Sequence, residues 1–189
     1  MRGLVLSLLV SVLWTTTPVA KPYEPADAYQ IYDLLLPQEE SYGFATGTLI
    51  IREETVSNPG VGPPSPPCVT PEAGSQFKDA IADYNRLNKR RTWLLQREFQ
   101  LDKPYEIVSS STINVLFKEG GWRVFYKRYP DSGGYIIMSA VSFNKQKTRA
   151  MVYTGSSCGL RCGRWGLHLF DKVHGKWKEV LGVTCNMMS

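Results

Sequence analysis

"TRAMVYTGSSCGLRCGRWGLHLFDKVHGKW", residues 148–177, is the stretch from which the fold is read. On both sides of a turn rich in cysteine and glycine the chain alternates or runs apolar, the pattern of strands in a half-buried or buried sheet. "VHGK" follows, and His174-Gly175 has the composition of a two-residue hairpin turn. Upstream, "GYIIMSAVSF" reads as extended chain joined through "NKQK"; downstream, "KWKEVLGV" reads the same way. Consecutive strands with such short links pair antiparallel, because a parallel return needs a longer crossover.

Helical spacing belongs to the N-terminal half. In "PADAYQIYDLLLP" (25–37), Ala28, Ile31, Tyr32 and Leu35 fall on one face between two prolines, which predicts a short amphipathic helix. "ATGTLIIREET" predicts a strand that ends in charge. Residues 75–97 predict the main helix, with Phe77, Ile81, Tyr84, Leu87 and then Leu94 or Leu95 in its stripe, Ser75 as cap, and Lys89, Arg90 and Arg91 in its second half. "PYEIVSSSTINVLF" predicts extended chain, its "SSST" on a strand edge or polar strand face, and Trp122, Phe125, Tyr126 and Tyr129 predict a short helix stopped by Pro130. The class is α+β: an antiparallel β-meander of about four to six strands, with two or three helices packed from the N-terminal half.

Residues 1–20 are read as a signal peptide. Arg2 is followed by the apolar run Gly3 to Trp14. Twelve helical residues reach about 18 Å, short of a hydrocarbon core of about 30 Å, so the run does not span a bilayer. The expected product is a single domain, residues 21–189, exported to the periplasm or outside the cell, with no transmembrane segment. Its Pro-rich loop, 57–71, holds six prolines and two glycines in fifteen residues.

Export sets the expectation for Cys68, Cys158, Cys162 and Cys185: an even number of cysteines in an oxidising compartment favours disulfides. Three pairings are open; Cys158 with Cys162 and Cys68 with Cys185 is the one favoured. A disulfide needs its Cα atoms about 4.4–6.8 Å apart, whereas a straight strand would separate Cys158 and Cys162 by roughly 13 Å. The chain therefore turns between them, and Gly159 and Gly163 offer the freedom to do so. In the chain-entropy model the short loop is worth roughly 2 kcal/mol and the long one roughly 5.

Residues 123–180, from "RVFYKRYP" through "SAVSFN", "AMVY" and the cysteine–glycine turn to "GKW", resemble the C-terminal part of a group of exported bacterial proteins of unknown function. "AYQIYDLLL" and "TLIIREET" resemble their N-terminal part, and Ser142 stands where that pattern has a glycine. The resemblance implies export and one compact domain. It implies no activity.

Catalytic patterns are weak. The cysteine pair has three intervening residues where a dithiol redox motif has two, and no zinc module matches the spacings, so no metal or cofactor is expected. "SSST" lacks the glycine flanks of a nucleophile elbow, and no phosphate loop or dinucleotide fingerprint occurs. His168 and His174 read as surface or turn histidines without an orienting carboxylate, although Asp171 is near in sequence.

Charge says more. Residues 21–83 carry three Lys/Arg against ten Asp/Glu, and residues 84–189 carry eighteen against seven. A basic C-terminal half suits an anionic surface or envelope polymer, while export and the absence of a recognised motif argue against nucleic acid. The candidate binding residues are Arg90, Arg91, Arg161, Arg164, His168, Tyr126 and Tyr129. The expected function is a non-catalytic binding or structural domain. The alternatives are an enzyme assembled near the cysteine turn from Cys158, Cys162 and His168, and an accessory or inhibitor protein.

Overall fold

The computed structural model describes residues 21–23, 25–40, 47–57, 68–184 and 186–188. The expected signal peptide, most of the Pro-rich loop and Cys185 lie outside them. The protein is α+β.

The long hairpin is there: β7 (Arg149–Gly159) and β8 (Cys162–Val173) pair antiparallel through ten residue pairs, from Arg149–Asp171 to Gly159–Cys162. β8 continues into β9 (Lys176–Glu179) through His174 (φ 50°) and Gly175 (φ 78°), the two positive φ values that a type I′ turn requires. β5 (Tyr135–Met138) and the short β6 (Ser142–Phe143) pair antiparallel with β7, and β10 (Asn186–Met188) pairs antiparallel with β8.

The other side of β5 departs from a pure meander. β2 (Leu49–Arg52) lies parallel to β5 and parallel to β4 (Tyr105–Val108), giving the order β10-β8-β7-β5-β2-β4. The sheet is mixed because the chain leaves β2 through helices and returns on each side of it in turn. A two-residue ribbon, β1 (Lys21–Pro22) with β3 (Trp93–Leu94), completes the strands among the described residues.

Five helices occur among the described residues, two of them from the C-terminal half. α1 (Ala26–Glu40) buries Ala28, Ile31, Tyr32 and Leu35 as expected, and it runs through Pro37 instead of stopping there. α2 (Pro71–Gln76) is capped by Thr70, not Ser75, and leads into α3 (Lys78–Asn88). The expected helix to residue 97 ends early because the Asn88 amide is drawn to the sheet: its Nδ2 donates to Ala140 O (3.1 Å), and its Oδ1 accepts from Ala140 N (3.0 Å). Arg90 and Arg91 therefore sit in an exposed loop, not on a helix.

The serine run is also corrected. Ser109 caps α4 (Ser110–Gly120), its Oγ accepting from Thr112 N, so "SSST" is a helix start and not a strand edge. α5 (Trp122–Arg128) follows. α1 packs on one face of the sheet, with Ile51, Ile136, Met138, Val152 and Phe170. The other face carries α2–α3 over Met151, Tyr153, Leu167 and Leu169, and α4–α5 over Ile50 and Val108.

Gly134 marks where α5 hands the chain to the sheet. Its φ is 111°, and a Cβ there would overlap the Ser157 carbonyl. Gly134→Ala should cost about 2–4 kcal/mol, from a strained φ plus displacement of a strand. Urea unfolding measures it, and an unchanged midpoint would contradict the packing described.

Candidate functional site

The cysteine turn is the tip of the β7–β8 hairpin. Cys158 and Cys162 are disulfide-bonded with Cα atoms 5.1 Å apart, and only Leu160 and Arg161 protrude beyond the last strand pair. Leu160 is 97% exposed, and Arg161 is exposed beside it. Gly159 and Gly163 do not take positive φ; the pinch comes from a register shift in β7 between Ser157 and Gly159. Cys68 is disulfide-bonded too, and its neighbour Val69 bridges Thr184, the residue before Cys185.

α5 is fixed to this tip. Tyr126 Oη donates to the Cys158 carbonyl (2.8 Å), its ring stacks on Trp122 at 5.6 Å, and Trp122 stacks on Tyr135 at 5.8 Å. Burial pushes the Tyr126 phenol above its ordinary range. Tyr126 and Trp122 stay half-buried, each with an edge to solvent. Arg123 and Lys127 are exposed, and helical geometry places both on the flank next to Tyr126.

The remaining sequence candidates separate. Tyr129 is buried in the α4–α5 core, with the Arg128 guanidinium 5.6 Å over its ring. Arg164 is only 9% exposed, so it is not a rim residue. Arg90 and Arg91 precede Thr92, which lines a cleft with Arg52 and Ile137 and not the cysteine turn.

His168 is the clearest correction. It is 2% exposed, on the sheet face that α1 covers, and its carboxylate partner comes from the next strand. Nδ1 lies 2.6 Å from Glu179 Oε1, and Nε2 lies 2.9 Å from Thr154 Oγ1. Asp171, the nearer acid in sequence, pairs instead with Arg149. The hairpin turn delivers Glu179, which is why local sequence could not reveal the pair.

A carboxylate–imidazole–hydroxyl line is the arrangement of a nucleophilic relay. Here Thr154 is 1% exposed, so the line closes inside the protein and ties β9 to β7 across β8. His168 is also remote from the cysteines: it pairs opposite Val152, six residues before Cys158. At about 3.3 Å per residue that is roughly 20 Å of strand, so the three do not form one set.

Burial works to raise the Glu179 carboxyl, but the His168 bond and charge, Gln38 and the Arg164 charge together hold it below its ordinary 4.5. Among the described residues no group of three or more His, Cys, Asp or Glu is placed to hold a metal, and no helix is long and apolar enough to cross a membrane.

A feature outside the sequence reading lies at the carboxyl ends of β2 and β4. A cleft of about 440 Å³ is lined by Arg52, Glu54, Thr55, Val56, Ser57, Thr92, Ser110 and Ile137. Its trace in sequence is the abrupt change from "LII" to "REE", where an apolar strand ends on charge. No family model, curated protein or solved structure matches the chain.

The depressed Glu179 value gives a signed expectation. Its stabilising contribution is complete above its ordinary 4.5 and is lost as pH falls through the lower folded-state value. Glu179→Gln should therefore lower stability at neutral pH by about 1–3 kcal/mol and flatten the acid limb of the stability curve. Parallel curves for variant and wild type would count against the relay. The short disulfide is checked separately: Cys158→Ser with Cys162→Ser should cost about 2 kcal/mol and leave a folded protein.

Proposed function

We propose that this is an exported, non-catalytic domain that attaches reversibly to an anionic lipid surface at the cell envelope, through the corner where α5 meets the β7–β8 hairpin. One observation carries the reading: a leucine exposed to 97%, next to an exposed arginine, on a two-residue tip held by a disulfide. A tip held in this way loses little conformational freedom on docking, so most of its contact energy remains available for binding.

The surroundings fit a bilayer interface better than a fully polar polymer. Trp122 and Tyr126 are half-exposed amphipathic rings, the type that settles at the headgroup level. Arg123, Lys127 and Arg161 supply cations on the same corner. A Lys or Arg near an anionic membrane contributes about 1 kcal/mol, and burying a leucine contributes about 2. Together these give on the order of 5 kcal/mol, a dissociation constant between about 0.1 and 1 mM, which means weak peripheral attachment.

Two observations count against the catalytic alternative built on this corner. Cys158 and Cys162 are bonded to each other, so neither offers a thiolate, and Thr154 of the His168 relay is sealed. Nothing specific favours the accessory or inhibitor reading; a partner that co-purifies would.

Co-sedimentation with vesicles tests the proposal. The oxidised protein should pellet with vesicles of three parts phosphatidylcholine to one part phosphatidylglycerol at low salt. Binding should fall several-fold once the Debye length shrinks below about 5 Å. Leu160→Asp and Arg161→Glu should each weaken it without changing the fold. No pelleting at low salt, or equal binding to pure phosphatidylcholine, would reject the lipid reading.

A further inference from the structure

The cleft at the carboxyl ends of β2 and β4 is a second feature with the properties of a site, separate from the tip of the β7–β8 hairpin. The chain leaves these two parallel neighbours in different directions. After β2 it turns toward β5, where Val56 N donates to Met138 O (2.8 Å); after β4 it enters α4 directly. Diverging exits from adjacent parallel strands open a crevice, and such crevices are where open sheets with parallel strands bind ligands. A volume of about 440 Å³ suits a small molecule.

Two opposite charges line it. Arg52 ends β2, lines the cleft and is half-buried; its Nε donates to the Glu54 carbonyl (3.0 Å), and its two Nη groups carry four further N–H donors. Burial pulls this guanidinium below its ordinary value, while the Glu54 charge opposes that shift. An Arg fork matches the plane of a carboxylate and holds it through two parallel bonds. Glu54 is held through one oxygen: Oε2 accepts from Ser110 N (2.7 Å) and Ser110 Oγ (2.6 Å). Its Oε1 remains an acceptor.

The walls are set in advance. Thr55 is fully buried, and its Oγ1 accepts from Trp93 N (2.9 Å). Thr55 N donates to Trp93 O, and Leu95 N donates to Glu53 O, so residues 53–55 are stitched to β3. Val56 and Ile137 give an apolar surface, and Ser57 and Thr92 add hydroxyls. A simple anion would be opposed by Glu54 and a simple cation by Arg52. A molecule carrying both charges close together is complemented on both sides.

We infer that this cleft binds a small zwitterion whose carboxylate docks on the Arg52 guanidinium and whose ammonium docks on Glu54, a free α-amino acid being the simplest member of the class. Val56 and Ile137 then meet its side chain. The site is independent of the lipid-docking corner, and either can fail without the other.

The test uses the full oxidised chain. Each of the common free L-amino acids, at millimolar concentration, is screened by thermal shift, and those that stabilise are titrated by calorimetry. At least one should bind saturably, while its carboxamide and its N-acetyl derivative bind at least tenfold more weakly. Arg52→Gln should lose at least tenfold. Thr92→Trp, at an exposed rim position, should block the cleft while leaving the fold and vesicle binding unchanged; it keeps the test decisive if the Arg52 variant does not fold. Overturning results are the absence of any stabilising amino acid, equal binding of the carboxamide or the N-acetyl form, or undiminished binding by the folded Thr92→Trp protein.

Discussion

Ten residue pairs between β7 and β8 form the frame on which the other elements are hung. Residues on one face of this hairpin meet α1, and those on the other meet α2–α3. Because side chains alternate along a strand, fixing this one register decides which layer every residue of the hairpin enters. A slip of one residue would carry Leu167 and Leu169 to the α1 face and expel His168 from it. Register is held at three places: the disulfide at the tip, the His174-Gly175 turn at the far end of β8, and the line from Glu179 through His168 to Thr154 between them.

That polar line also explains how the sheet face under α1 changes character along its length. Near the start of β7 it is apolar, with Ala150, Val152 and Phe170 in the core. Toward the cysteines it becomes polar, with Thr154, Ser156, Arg164 and His168 all buried. Buried polar groups are tolerated only when hydrogen-bonded, and here the imidazole uses both nitrogens on fixed partners. A bond made this deep specifies one arrangement of β7, β8 and β9, because any other leaves a carboxylate or a ring nitrogen unsatisfied. The same burial removes Arg164 and His168 from the surface and leaves Leu160 and Arg161 exposed at the hairpin tip.

The hairpin tip and the cleft are built on different physics. At the cysteine end the hairpin projects, and its chemistry is an apolar point among cations. At the cleft β2 and β4 stop side by side, their exits diverge, and Arg52 and Glu54 line it. A protrusion suits a broad, deformable surface, whereas a recess with fixed charges suits a small molecule with matching ones. The basic run at residues 89–91 adjoins Thr92 at the cleft, and not the corner with Arg161.

Strand alternation in "AMVY" and "GLHLF", the helical stripe of Ala28, Ile31, Tyr32 and Leu35 and the His174-Gly175 turn were determined by the sequence itself, which favoured the Cys158–Cys162 staple among three open pairings. Each is set by residues within a few positions of one another, where backbone sterics and side-chain period act directly. The end of α3 at Asn88 and the helical start at Ser109 were harder to read. In the first the deciding partner, Ala140, is 52 residues away; in the second a run of serines competes between strand and cap. Only the tertiary structure decided that β2 lies between two parallel neighbours, that His168 meets Glu179, and that Arg52 faces a cleft. Those outcomes depend on which segments share a layer, and hydrogen bonds and charges acquire their partners only after the layers have packed.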